Sequence, residues 1–188
     1  MTIAPGLSVG ASPNALHSSS YAAGVGLGYG PVVNLDGAVL NVSLESGYCQ
    51  QIGRYDMFLD ASDLALRPYS STIRRVPIMI WWTVESRANI SPFIRFGAGI
   101  SWTQFSEDYS DKSAGSLDAS DWGFTWGIGG GIRLKLDQRW SLAVFLDDWV
   151  STDDVGGQVS SSFGSYSREI QGPIKMTMVG IRGTMNIF

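Results

Sequence analysis

Cysteine, histidine, charge and long apolar runs are all scarce in this chain, and each shortage removes a class of protein. Cys49 is the single cysteine among 188 residues, so an intrachain disulfide is impossible and a cysteine-based zinc site is not expected. Charged residues make up 16%, against about a quarter in ordinary soluble domains. The formal net charge is −4 and no basic stripe is present, which argues against a nucleic-acid partner. Apolar runs are short, as in Ile78–Trp82, far below the ~20 residues of a membrane-spanning helix. The start, Met1–Gly6, lacks the basic and apolar regions of a signal sequence, so if the protein is exported the sequence is expected to be the mature form with an added Met1. There is no Gly-x-Ser-x-Gly elbow, phosphate-cradling glycine loop or metal-spaced ligand cluster, and no cofactor or metal is expected.

Glycine and aromatics are plentiful instead, with 23 glycines, 12% aromatic and 44% hydrophobic residues. No long stretch repeats its apolar residues at three-and-four spacing, while glycine, aromatic and β-branched residues favour strands and bends, so the chain reads as all-β. No linker or shift in composition divides it, and residues 1–188 are expected to form one domain.

The organising signal is alternation at period two. From Trp122 to Leu136 the even positions are Trp122, Phe124, Trp126, Ile128, Gly130, Ile132, Leu134 and Leu136, and the odd ones are glycine, Thr125, Arg133 and Lys135. From Ile90 to Gln104, Ile94, Phe96, Ala98, Ile100 and Trp102 oppose Arg95, Gly97, Gly99, Ser101 and Thr103, with Phe93 as the exception on the small face. Between Arg74 and Glu85, Val76, Ile78, Ile80, Trp82 and Val84 oppose a bulkier set that includes Met79 and Trp81. Segments 38–50, 21–33 and 140–150 alternate likewise, and 3–11 and 175–188 complete eight strands. Short turns are expected at 34–37, 86–89 and 137–139, and long loops near 12–20, 52–71, 107–121 and 152–169, the pattern of an up-and-down barrel with both ends on one side.

In a soluble barrel the polar face would carry abundant Lys and Glu; here it is mostly glycine, serine and threonine with single charges, which suits a tight lumen. The apolar face is therefore assigned to lipid, giving an eight-stranded antiparallel transmembrane β-barrel. Tyr21, Tyr29, Tyr48, Trp82, Trp102, Trp122 and Trp140 lie near expected strand ends on that face and read as two interfacial girdles. A soluble lipocalin-like carrier is the competing architecture.

The stretches Pro92–Ile100, Gly127–Leu134 and Arg139–Leu142, taken together, resemble the small outer-membrane β-barrel family related to the OmpA transmembrane domain and OmpX. The resemblance covers nearly the whole chain. It implies a place in the bacterial outer membrane, contact with outer-membrane lipid and lipopolysaccharide, and recognition of the terminal Phe188 by the barrel assembly machinery. Val179, Ile181, Met185 and Ile187 share one phase and Phe188 the other, which leaves the register of the last strand open.

Seven charged residues fall on the inner phase: Glu45, Arg75, Glu85, Arg95, Arg133, Lys135 and Asp147. They are expected to pair, because an isolated buried charge costs several kcal/mol, and to plug the lumen rather than line an ion path. Arg74 and Asp148 fall on the apolar phase near strand ends, where snorkelling to the interface is the cheaper placement, and Arg74 beside Arg75 is a weak lipid-phosphate motif. His17, the sole histidine, neighbours Ser18, Ser19 and Ser20, but such adjacency in a loop is far more often chance than a catalytic triad. Asp108, Asp111, Asp118, Asp121, Asp153 and Asp154 read as solvated loop tips before calcium ligands. The expected function is non-enzymatic, a structural, adhesive or partner-binding protein acting through its outer loops on an envelope or surface protein; a lipid-modifying enzyme and a narrow channel are the alternatives.

Overall fold

In a computed structural model, residues 2–3, 6–9, 17–58, 66–109, 116–152, 155–161, 164–170 and 174–186 are described, with side chains over 22–29, 31–52, 71–106, 118–152 and 175–186. Phe188, residues 110–115 and the side chains of His17 and Tyr21 lie outside these ranges.

The described elements are all strands: β1 (Thr2–Ile3), β2 (Gly6–Val9), β3 (His17–Leu35), β4 (Ala38–Phe58), β5 (Leu66–Ser86), β6 (Ile90–Tyr109), β7 (Ser116–Lys135), β8 (Trp140–Ser151), β9 (Val155–Ser161), β10 (Gly164–Ile170) and β11 (Ile174–Asn186). From β3 to β8 each strand pairs antiparallel with the next. β11 then pairs with β8 from Ile174↔Ser151 to Met185↔Trp140. β1 and β2 share one register between β3 and β11 and act as a single strand, so the sheet closes on itself with eight staves. β9 and β10 form a separate hairpin between β8 and β11. Closure is what hydrocarbon demands, since an open edge there leaves backbone N–H and C=O groups without partners.

The alternation read from the sequence is the alternation of the wall. Ile94, Phe96, Ile128 and Leu142 are 69%, 56%, 59% and 42% exposed, whereas Arg95, Ser101 and Thr125 between them are buried. The soluble-carrier architecture is thereby overturned, because its apolar set would have to face inward. The register of the last strand is also fixed: Val179 and Ile181 face out, and Met178 and Thr184 face in. Phe93, the odd residue of its face, is an inner core residue packed with Ala143 and Phe145.

The long loops shrink. β4 runs on to Phe58, β5 starts at Leu66, β6 reaches Tyr109, β7 starts at Ser116 and β3 starts at His17, so much of the sequence assigned to loops is strand, and 152–169 contains the β9–β10 hairpin. The physical reason lies in the solvent. Along β5, β6 and β7 the outward side chain turns polar at Arg74, Gln104 and Ser120, which stand side by side in the ladder. Past that row the outward residues Thr72, Ser106 and Asp118 stay polar while Ser71 and Phe105 remain buried inside, so the outer apolar stripe ends and the backbone ladder continues. A strand of about 20 residues, at ~3.3 Å per residue and a tilt near 40°, rises roughly 50 Å, about twice the ~25 Å apolar band.

The narrow lumen is filled by matching large residues to glycines. Trp81 is 1% exposed, and a Cβ built on Gly97 would lie 2.6 Å from its Cδ2 atom, one on Gly127 2.9 Å from its Cη2 atom. Both glycines sit opposite each other in the β6–β7 ladder and make the slot for the indole. Gly97→Val should therefore lower the stability of the folded barrel by about 1–3 kcal/mol, as overpacking does. Urea unfolding in lipid vesicles measures this, and an unchanged midpoint would mean the lumen has slack there.

Candidate functional site

The centre of the lumen is a cluster of four charges contributed by four strands: Glu45 on β4, Arg95 on β6, Asp147 on β8 and Arg182 on β11. Arg95 Nε donates to Asp147 Oδ1 at 2.9 Å and Nη1 donates to Glu45 Oε2 at 3.0 Å, and Arg95 Nη2 pairs with Asp147 Oδ2. Arg182 grips the same Glu45 with both terminal nitrogens, at 2.6 and 2.7 Å. Two guanidinium groups face two carboxylates, so the cluster is neutral as a whole, and its bidentate geometry is the kind that offsets much of the desolvation cost.

Glycine makes the convergence possible. Across the wall Arg95 is in register with Gly129, and Gly129 with Asp147, so the two charges flank a residue with no side chain. A Cβ on Gly129 would collide with the Asp147 carboxylate. On the opposite side Gly26 lies in register with Glu45, and a Cβ there would come 2.8 Å from Glu45 Cγ. The glycine face is thus a mould for the charged side chains.

Aromatic rings close the cluster in. The Arg95 guanidinium lies 4.2 Å over the Trp81 ring and 5.1 Å from that of Phe145, and Arg182 is 5.1 Å from Phe145 as well. Trp81, Trp149, Met79, Met178, Cys49 and Ala22 pack on the loop side of the charges, leaving a void of only about 50 Å³ beside them. Ser101, Thr125 and Ser151, all fully buried, link their hydroxyls at 2.6, 3.0 and 3.1 Å. Together these layers obstruct the lumen at mid-height.

Of the seven inner charges expected from the sequence, Glu45, Arg95 and Asp147 meet in this cluster. Glu85 and Arg133 form a second pair nearer the short turns, with Asn41 Nδ2 donating to Glu85 at 3.0 Å and Arg133 5.6 Å from the Phe93 ring. Arg75 is fully buried and donates from Nε to Thr103 at 3.1 Å, apart from the cluster. Lys135 lies at the rim, its ammonium donating to the Arg87 carbonyl at 3.2 Å. Arg182 is the member that sequence reasoning missed. It shares the phase of Gly180 and Thr184 against Val179 and Ile181, so parity would have found it once the last strand's register was settled.

On the outer face Tyr48, Trp102 and Trp122 each stand two residues below the polar row of Gln50, Gln104 and Ser120, and Trp102 is directly opposite Trp122. Tyr48 donates its hydroxyl to Gln50 at 2.7 Å. Tyr29 and Trp140 lie outward toward the short turns. Trp82 sits between Val42 and Phe96 and stacks on the latter at 4.8 Å, within the apolar band. Tyr21 is a β3 residue in register with Gln50. Arg74 donates to Gln104 at 3.2 Å, and the exposed Asp148 accepts from Thr177 at 2.6 Å. Among the described residues no cluster of three or more metal-ligating groups of the His, Cys, Asp and Glu type occurs.

Removing Arg95 strands Asp147 in a dry site. Arg95→Leu should cost about 3–5 kcal/mol, whereas Arg95→Leu combined with Asp147→Leu should recover a large part of it. Urea unfolding of the single and double variants decides; equal losses in both would mean the pair is not coupled.

No family model matches this sequence, and no curated protein matches it. Solved structures do share the fold. A major outer membrane protein from Thermus thermophilus is 12% identical over 98% of each chain with a TM-score of 0.60. Neisserial surface protein A is 11% identical, covering 98% of this chain and 94% of its own, with a TM-score of 0.51. The outer membrane protease OmpT from Escherichia coli is 10% identical over 91% of this chain and 64% of its own, with a TM-score of 0.53. With its closed wall, lipid-type exterior and a lumen obstructed at mid-height, the chain has the fold of the bacterial outer-membrane β-barrels.

Proposed function

We propose that this chain is an integral protein of the bacterial outer membrane and a non-enzymatic scaffold, holding its loop-side wall and connections outside the membrane for contact with an envelope or surface partner. One observation carries the reading. The lumen is obstructed at mid-height by the Glu45–Arg95–Asp147–Arg182 cluster and the Trp81 layer, while β3 to β7, each 19–21 residues long, are far longer than a crossing needs. Material invested beyond the lipid rather than in a pore favours display over transport. Lipid and lipopolysaccharide are the surroundings such a wall would meet, and assembly machinery its route of insertion.

The fold alone does not exclude catalysis, since a protease is among the chains that share it. His17, at the first position of β3, remains the candidate for any lipid chemistry.

Two measurements test the scaffold reading together. Planar bilayers holding the purified chain should show no steady conductance, and the lipid composition of cells making it should be the same with wild type and with His17→Ala. A steady conductance altered by Arg95→Gln would favour a channel. A lipid change that disappears with His17→Ala would favour an enzyme.

A further inference from the structure

Below the central cluster, on the side of the short turns, the lumen opens into a cavity of about 520 Å³. That is the size of a small-molecule site. Its ceiling is the Glu45–Arg182 pair, and its walls carry Arg133, Lys135, Arg87 and Thr184.

The hydrogen-bond balance of these walls is one-sided. The carboxylates are engaged: Glu85 accepts from Asn41 and Arg133, Glu45 accepts from Ser43, Arg95 and Arg182, and Asp137 accepts the backbone N–H groups of Arg139 and Trp140 at 2.6 and 2.7 Å. The cationic donors are not used up. Arg133 meets Glu85 through Nη1 and keeps 17% of its side chain exposed, while its Nε and the Thr184 hydroxyl are buried with no partner among the described residues. Lys135 directs its one side-chain hydrogen bond among the described residues to a neutral carbonyl, that of Arg87, and the Arg87 guanidinium donates to the neutral Asn34 amide at 3.1 Å. Positive charge at Arg133, Lys135 and Arg87, around a polar space whose carboxylates already accept hydrogen bonds, is complementary to an oxygen-rich anion.

We propose that this half of the lumen is a binding site for a small phosphate-type oxyanion, held by Arg133 and Lys135 with Arg87 at the rim. The anion enters by the mouth at the short turns, which in an outer-membrane barrel faces the periplasm. Only the side of entry rests on the outer-membrane placement; the site itself stands on the geometry of the lumen.

The test uses the folded full chain in an uncharged maltoside detergent, titrated with inorganic phosphate against chloride at equal ionic strength. The Arg133 Nε–H resonance and titration calorimetry give the readout. Saturable binding of phosphate but not chloride is expected, weakened about 10-fold by Lys135→Gln, which leaves the Glu85–Arg133 pair in place, and unchanged by Arg74→Gln on the outer face. Saturation only by a short-chain phosphatidate in the same detergent would assign the same site to a lipid headgroup instead of a free ion. Absence of saturation by either probe, or equal binding by wild type and Lys135→Gln, would overturn the proposal.

Discussion

The structure depends on one constraint: a strand that meets acyl chains has no water to complete its hydrogen bonds. Each N–H and C=O must be answered by a neighbouring strand, and the sheet must therefore return to its start. The pairing of β11 with β8 on one side and with the β1–β2 strand on the other supplies that return. Once the wall is closed, parity sends alternate side chains to opposite faces, and in hydrocarbon it is the greasy set that points outward.

Closure with eight strands leaves an interior just wide enough for side chains, and this chain solves the resulting packing problem with contrast in size. Glycines on β6 and β7 give way to Trp81, Gly129 gives way to Asp147, and Gly26 gives way to Glu45. The charges then answer one another across the bore. Such pairs contribute less to net stability than their Coulomb attraction suggests, because each ion first loses its water. What they provide is discrimination: a slip of one residue would turn Arg95 toward lipid and Phe96 toward the bore.

The sequence made the lipid-facing half of the molecule legible, because there one face meets hydrocarbon and the other a polar lumen. Ile94 and Phe96 against Arg95 and Gly97 is a signal that needs no tertiary information. Glu45, Arg95 and Asp147 could be placed inside by parity alone, but not joined, since contact across the lumen depends on the stagger of the strands. Arg182 stayed hidden because Phe188 and the apolar residues before it gave conflicting phases. The loop-side extensions were illegible for a different reason: where the outer face turns polar, Thr72, Ser106 and Asp118 look like loop residues although they pair in register. Phe93 looked like an error of pattern and is a core residue.

The medium that touches the outward apolar residues decides between a membrane wall and any other use of this sheet. Spin labels placed singly at positions 96 and 128, on a Cys49→Ala background in reconstituted bilayers, report it through their collision rates with oxygen, which concentrates in lipid, and with a water-soluble nickel chelate. Oxygen-dominated relaxation is predicted at both positions, and chelate-dominated relaxation for a label at position 104. Chelate access at 96 and 128 equal to that at 104, or shielding from both agents, would contradict a lipid-facing wall.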